Sequence, residues 1–188
     1  MPRMGLDAAR VVEAAAGIAD AEGLAAVTLA RVAAELGVRA PSLYSHVDGR
    51  DALLRAIALR AVRELTAVLR EAAVGRSRAD AMAGAARAYR AYALAHPGRY
   101  AATVAAPAGA DAEHLGAAAE TVEVLLAVMR GWDLEGEDAV HAVRALRSAV
   151  HGFVAIEAGG GFGMPVDVDA SFERLVSTLA AGLDRATA

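Results

Sequence analysis

Between positions 39 and 50 the chain reads "RAPSLYSHVDGR". Arg39, Ser42, Tyr44, Ser45, His46 and Arg50 crowd hydrogen-bonding groups into this stretch, while Leu43 and Val47, four apart, give it one apolar edge. Such groups suit contacts to phosphate oxygens and base edges. A segment this short is not stable as an isolated helix, so its neighbours must hold it. A second concentration lies further on. Tyr89, Tyr92 and His96 fall at i, i+3 and i+7, with Tyr100 just beyond Pro97, in a chain with four tyrosines and three phenylalanines. Two readings stand for these rings. They are ordinary packing with each polar atom satisfied by backbone, or, with Met129 and His151, they line a pocket for a largely apolar small-molecule effector.

The elements that must position these groups are helical. Asp7 caps a first helix to about Glu22, with Gly23 after its end and Val11, Ala14, Ala15 and Ile18 as its buried stripe. Thr28 caps a second, in which Leu29, Val32, Ala33 and Leu36 share one face. Gly37 supplies a left-handed corner. Pro41 sits in the first turn of a short third helix, which Leu43 and Val47 staple inward. Asp48, with Asp51 three residues on, caps a long helix to about Ala73.

"GRSRAD", at 75–80, reads as the boundary between a small head and a larger body. The body holds a helix over about 79–95, a break at Pro97-Gly98, a short helix around 100–104 and a loop at 106–111. Next comes a helix with Leu115, Ala118, Val122, Leu125 and Met129 on one face, then one over about 137–157. A glycine-rich connector, "GGGFGMPVD", leads to a last helix carrying Phe172, Leu175, Val176, Leu179 and Leu183 in register. The expected fold is all-α with about nine helices. Residues 1–50 form a three-helix, helix-turn-helix head, 51–74 a connecting helix, and 75–188 a helical body.

Composition agrees with this class and excludes others. Hydrophobic residues make up 56% of the 188 and aromatics 4%, so alanine-rich helix is favoured over strand. With no cysteine, disulfides and thiolate sites are excluded. No two of the five histidines lie at i, i+4, and "GGGFG" lacks the GxGxxG spacing, so no metal or cofactor is expected. No apolar run approaches a membrane span. Asp7, Glu13, Asp20 and Glu22 interrupt what would be a signal peptide's apolar core, so a cytoplasmic location is expected. The net charge of −4 hides a split: residues 24–63 carry six arginines against three acids, a local +3. Positive charge gathers where phosphates would meet it.

Helix–glycine–helix corners are also common packing devices, so the pattern alone leaves a structural role open. "TLARVAAELGVRAPSLYSHVDGRDALLRAI" resembles the N-terminal domain of the TetR family of transcriptional repressors. The resemblance implies that Thr28 bonds a phosphate and that Arg39, Ala40, Pro41 and Ser42 read bases, with Ser45 within reach of them. Tyr44, His46 and Arg50 would grip the backbone of double-stranded DNA. Pro41 and Val47 depart from many members, which have glycine and an aromatic there. "YRAYALAHPGRY" and "VHGFVAIEAGGGFGMPVDVDASFERLV" resemble the WHG subtype of TetR C-terminal domains, with Val150 where that tryptophan would stand. This implies a homodimer formed by the last two long helices, with Phe153, Phe172, Val176 and Leu179 at the interface. The function expected is a repressor that a small molecule releases from a palindromic operator. The rivals are an activator or ligand-independent regulator, and a small enzyme pairing His141 or His151 with Glu137 or Glu157; no nucleophile or cofactor motif supports the enzyme.

Overall fold

The first residues able to start a helix do so. In the computed structural model, which describes residues 6–104 and 112–186, α1 spans Ala8–Glu22 and its N-cap Asp7 accepts from the Arg10 N–H at 2.8 Å. Gly23 closes it with φ +86° and opens a 3-10 turn, Leu24–Ala26, that the sequence patterning did not suggest. Helix α2, Leu29–Leu36, is capped by the Thr28 hydroxyl, which accepts from the Arg31 N–H at 3.1 Å. It ends at Gly37, which is left-handed at φ +66°, while the Val38 N–H reaches back to the Ala33 carbonyl at 2.9 Å. That long backward bond satisfies a carbonyl the helix end would otherwise orphan.

The short helix expected next is not an α-helix. Ala40–Leu43 forms a 3-10 turn, with Ser42 N–H to Arg39 O at 2.9 Å and His46 N–H to Leu43 O at 2.9 Å. Only the closing bond, Val47 N–H to Leu43 O at 3.0 Å, has α spacing. Between a left-handed glycine and the next helix there is too little chain to offset α nucleation, so the tighter i→i+3 pattern wins.

Then follow α3 (Gly49–Ala73), α4 (Arg78–Ala95), α5 (Pro97–Val104), α6 (Ala112–Met129), a 3-10 turn at Arg130–Trp132, α7 (Gly136–Ala158) and α8 (Val168–Ala186). Among the described residues there are eight α-helices, three 3-10 helices and no strand. The loop expected at 106–111 lies outside them. Helix α5 starts earlier than expected, at Pro97 itself, because proline's fixed φ suits a first helical position.

The chain divides into two compact units, Met1–Val62 with His96–Ala117, and Arg63–Ala95 with Ala118–Ala188. These limits differ from the expected ones at 50 and 75. Helix α3 is continuous, with Leu53, Ile57 and Ala61 buried before the division and Leu65 and Leu69 after it. The first unit gathers Val11, Ala15, Ile18, Val27, Val32, Leu43, Leu53 and Ile57 into one core, which Ala102 of α5 joins.

Helix α5 belongs to the first unit because it lies directly on α1. A Cβ at Gly98 would sit 2.0 Å from the Ala19 carbonyl carbon and oxygen, a distance no side chain tolerates. The Asp20 carboxylate seals the contact: it accepts from the Arg99 N–H at 2.8 Å, which caps α5 from another helix, and its other oxygen pairs in charge with the Arg99 guanidinium, 3.0 Å from Nε. The second unit is fastened differently. Arg90 of α4 bonds Glu157 of α7, Nε to Oε2 at 2.7 Å, and Asp169 of α8 at 2.7 Å, while its guanidinium lies 4.9 Å from the Phe172 ring centre. Those carboxylates, Glu157 first, raise the basicity of Arg90 further.

Gly98→Ala should destabilise the protein by about 1–3 kcal/mol, the usual cost of overpacking. Gly17→Ala should stabilise it by about 0.5–1 kcal/mol, since in mid-helix its Cβ meets nothing within 4 Å. Urea unfolding of the two variants checks the pair, and equal midpoints would show that α5 is not held tightly to α1.

Candidate nucleic-acid interface

From Arg39 to His46 the first unit presents a stretch in which only Leu43 is buried. Leu43 has no exposed area, whereas its neighbour Tyr44 is 62% exposed. One side chain anchors the turn and the next is left in water. Thr28, Arg39, Pro41, Ser42, Ser45 and Arg50 are exposed, and Ala40, His46 and Val47 are half-buried. Among the described residues Arg39 has no internal partner. The Thr28 oxygen already accepts from Arg31 N–H, so its O–H is the part left to donate to a phosphate. Ser45 spends its O–H on the Ser42 carbonyl at 3.0 Å and keeps its lone pairs.

The local arginine excess is smaller than counting suggests. Arg31 bonds Glu22 at 2.7 Å and Glu35 at 2.8 Å, and these carboxylates, Glu22 first, hold it more basic than usual. Arg60 pairs with Glu13. Arg50 turns inward: its Nε donates to the Val27 carbonyl at 2.8 Å and its Nη2 to the Leu24 carbonyl at 3.1 Å. Sequence patterning could not show this, because the acceptors are backbone carbonyls 23 and 26 residues away.

The rings expected to form one cluster divide between the units. Tyr89, Tyr92, Met129 and His151 lie in the second unit, while His96 and Tyr100 lie in the first. Tyr92 donates its O–H to Glu64 at 3.0 Å, and Thr66 and Thr121 share a hydrogen bond of 2.6 Å. Tyr89 lines a cavity of about 20 Å³ with Leu69, Leu125, Leu146, Val150 and Arg147, room for about one water-sized guest. His96 Nδ1 sits 3.3 Å from Asp20. Sequence patterning gives no sign of the Tyr92–Glu64 or Thr66–Thr121 bond, because the partners lie 28 and 55 residues apart.

The expected interface residues also separate. Phe172 and Val176 are 1% and 2% exposed within one chain, packed in the second unit with Phe153 edge-on to Phe172 at 5.1 Å. Within one chain they leave almost no area to offer a partner, whereas Phe153 and Leu179 are half-buried. Glu157, half of one suggested acid–base pair, is committed to Arg90.

Two family models match this chain. Residues 11–57 match "Bacterial regulatory proteins, tetR family" and residues 82–179 match "Tetracyclin repressor-like, C-terminal domain". The chain belongs to the TetR family. An HTH-type transcriptional regulator of Mycobacterium tuberculosis, Rv0681, is 39% identical over 178 residues, covering 94% of this chain and 81% of its own length. YobS of Bacillus subtilis, named likewise, is 33% identical over 182 residues, covering 97% and 95%. A TetR variant of Acinetobacter baumannii AYE, solved with minocycline, superposes with a TM-score of 0.73 over 98% of this chain and 99% of that one. At 23% identity that likeness is one of fold. This TetR-family chain is therefore a DNA-binding transcriptional regulator with a repressor-like body, and the enzyme reading falls.

Tyr44→Ala should change stability by less than about 0.5 kcal/mol, as exposed substitutions do, yet weaken duplex binding. Leu43→Ala should cost about 2–5 kcal/mol. Unfolding curves beside gel-shift titrations check both; a destabilised Tyr44→Ala protein would mean that the ring packs instead of facing DNA.

Proposed function

We propose that this TetR-family regulator is a cytoplasmic, homodimeric repressor that holds a palindromic operator and lets go when a small molecule binds its body. The observation that carries this is the exposed face at residues 39–46, held from beneath by Leu43. Arg39, Ala40, Pro41 and Ser42, with Ser45, would meet base edges in the major groove; Thr28, Tyr44 and His46 would meet phosphates. Two such heads related by a twofold axis fit successive major grooves.

A partner would use what α7 and α8 leave accessible. Phe153, Leu175 and Leu179 are half-buried, Ile156 is 49% exposed, and Ala149, Gly152 and Gly182 allow close helix approach. In the second unit, Tyr89, Tyr92, Met129 and His151 would contact the effector, with Glu64, Thr66 and Thr121 adding polar groups. Apolar walls with a few hydroxyls suit a largely apolar molecule, for which the small cavity beside Tyr89 would have to widen. The minocycline complex of the Acinetobacter neighbour supports a body of this fold as a ligand site. Such a ligand acts by binding the released state more tightly than the DNA-bound one.

Sedimentation at micromolar concentration should give twice the chain mass without DNA. Leu179→Asp with Ile156→Asp should yield folded monomers that bind a duplex with two half-sites no better than one with a single half-site. A monomeric wild-type protein would sink the dimer reading.

A further inference from the structure

Family likeness puts Arg50 among the residues that grip phosphate, but its geometry points elsewhere. Its guanidinium donates from Nε to Val27 O at 2.8 Å and from Nη2 to Leu24 O at 3.1 Å. Leu24 opens the 3-10 turn and Val27 is its C-cap, just before Thr28, the cap of α2, while Arg50 is the second residue of α3. Between the two ends of this contact lie α2, the Gly37 corner and the reading turn. The fork therefore ties the start of the DNA-reading segment to its end.

We infer that Arg50 is a positioning residue and not a phosphate ligand: its guanidinium clasps the Leu24 and Val27 carbonyls and so fixes the DNA-reading segment between them. The contact suits arginine. A rigid planar fork bonds two acceptors at once, and its charge strengthens both bonds. A lysine in its place would carry the same charge on a single nitrogen. The segment needs such a clasp because its reading turn has few hydrogen bonds of its own. Leu43 fixes the depth of that turn, and Arg50 fixes the ends of the chain that carries it.

The inference rests on the head reading DNA, and its test separates the two claims. A duplex is selected from a random pool by the wild-type, full-length protein, and Arg50→Lys and Arg50→Ala are titrated against it across a salt series. The clasp requires that both variants lose about tenfold or more for the selected duplex. Arg50→Lys should meanwhile bind random duplex as the wild type does, and the slope of log K on log salt should stay at the wild-type value in both. A phosphate ligand behaves otherwise: Arg50→Lys would keep its affinity within about threefold, and Arg50→Ala would lower the slope by about 0.9 on every duplex. Either result overturns the inference. Hydrogen exchange of the free proteins gives an independent reading. Amides of residues 24–31 should exchange faster in both variants, and unchanged protection there would also overturn it. If the wild type selects no duplex, the DNA-reading claim fails, while exchange still judges the clasp.

Discussion

A 3-10 turn of four residues makes too few hydrogen bonds to offset the entropy of fixing its own backbone, so the head of this regulator is organised around holding one. Its own few bonds, such as Ser42 N–H to Arg39 O, are supplemented by contacts from elsewhere in the sequence. Leu43 is fully buried among Val27, Val32, Leu53 and Ile57, a burial worth about 1.5–3 kcal/mol for a side chain of its size. Gly37 turns the chain through a left-handed corner and its helix end is closed by Val38. Pro41 removes backbone freedom inside the turn itself. With its inner edge spoken for, the outer edge is free to carry Arg39, Ser42 and Tyr44 into water. The exposed face is then a consequence of bracing: it lies on the side that stability does not use.

The same logic extends to the rest of each unit. In the first, α5 is drawn onto α1 by a glycine that permits backbone contact and by a carboxylate that caps it across the gap. Asp20 and Arg99 are half-buried as a pair of opposite charges; losing either would leave the other partly desolvated without its neighbouring charge. In the second unit the Arg90 guanidinium joins three helices, bonded to Glu157 and Asp169 and laid against Phe172. Pairing, desolvation and ring contact act on one side chain there, so Arg90 contributes to specifying which helices meet as much as to stability.

Much of this was legible in the sequence, and the division is physical. Caps and corners are local: Asp7, Thr28 and Gly37 act within four residues of themselves and stand where spacing placed them. Periodicity put Phe172 and Val176 on one apolar stripe but could not say what covers it; within the second unit both are buried. The α character expected at residues 40–43 was a propensity judgement, and the short span between two helices overrode it. Contacts between distant elements left no local trace. Arg50 meeting carbonyls, Tyr92 meeting Glu64, and Gly98 meeting Ala19 depend on chain separations that only the folded structure closes.

The central claim is that residues 39–46, held from beneath, read base sequence. The most direct measurement is the wild-type protein's affinity, at one near-physiological salt concentration, for a duplex it has selected and for the same bases scrambled. Direct reading by the Arg39–His46 face requires the selected duplex to bind at least about a thousandfold more tightly. Its strongly preferred bases should also fall in two inverted half-sites one helical turn apart. Equal affinity for the two duplexes would mean that the face only collects phosphates, and would contradict sequence reading outright.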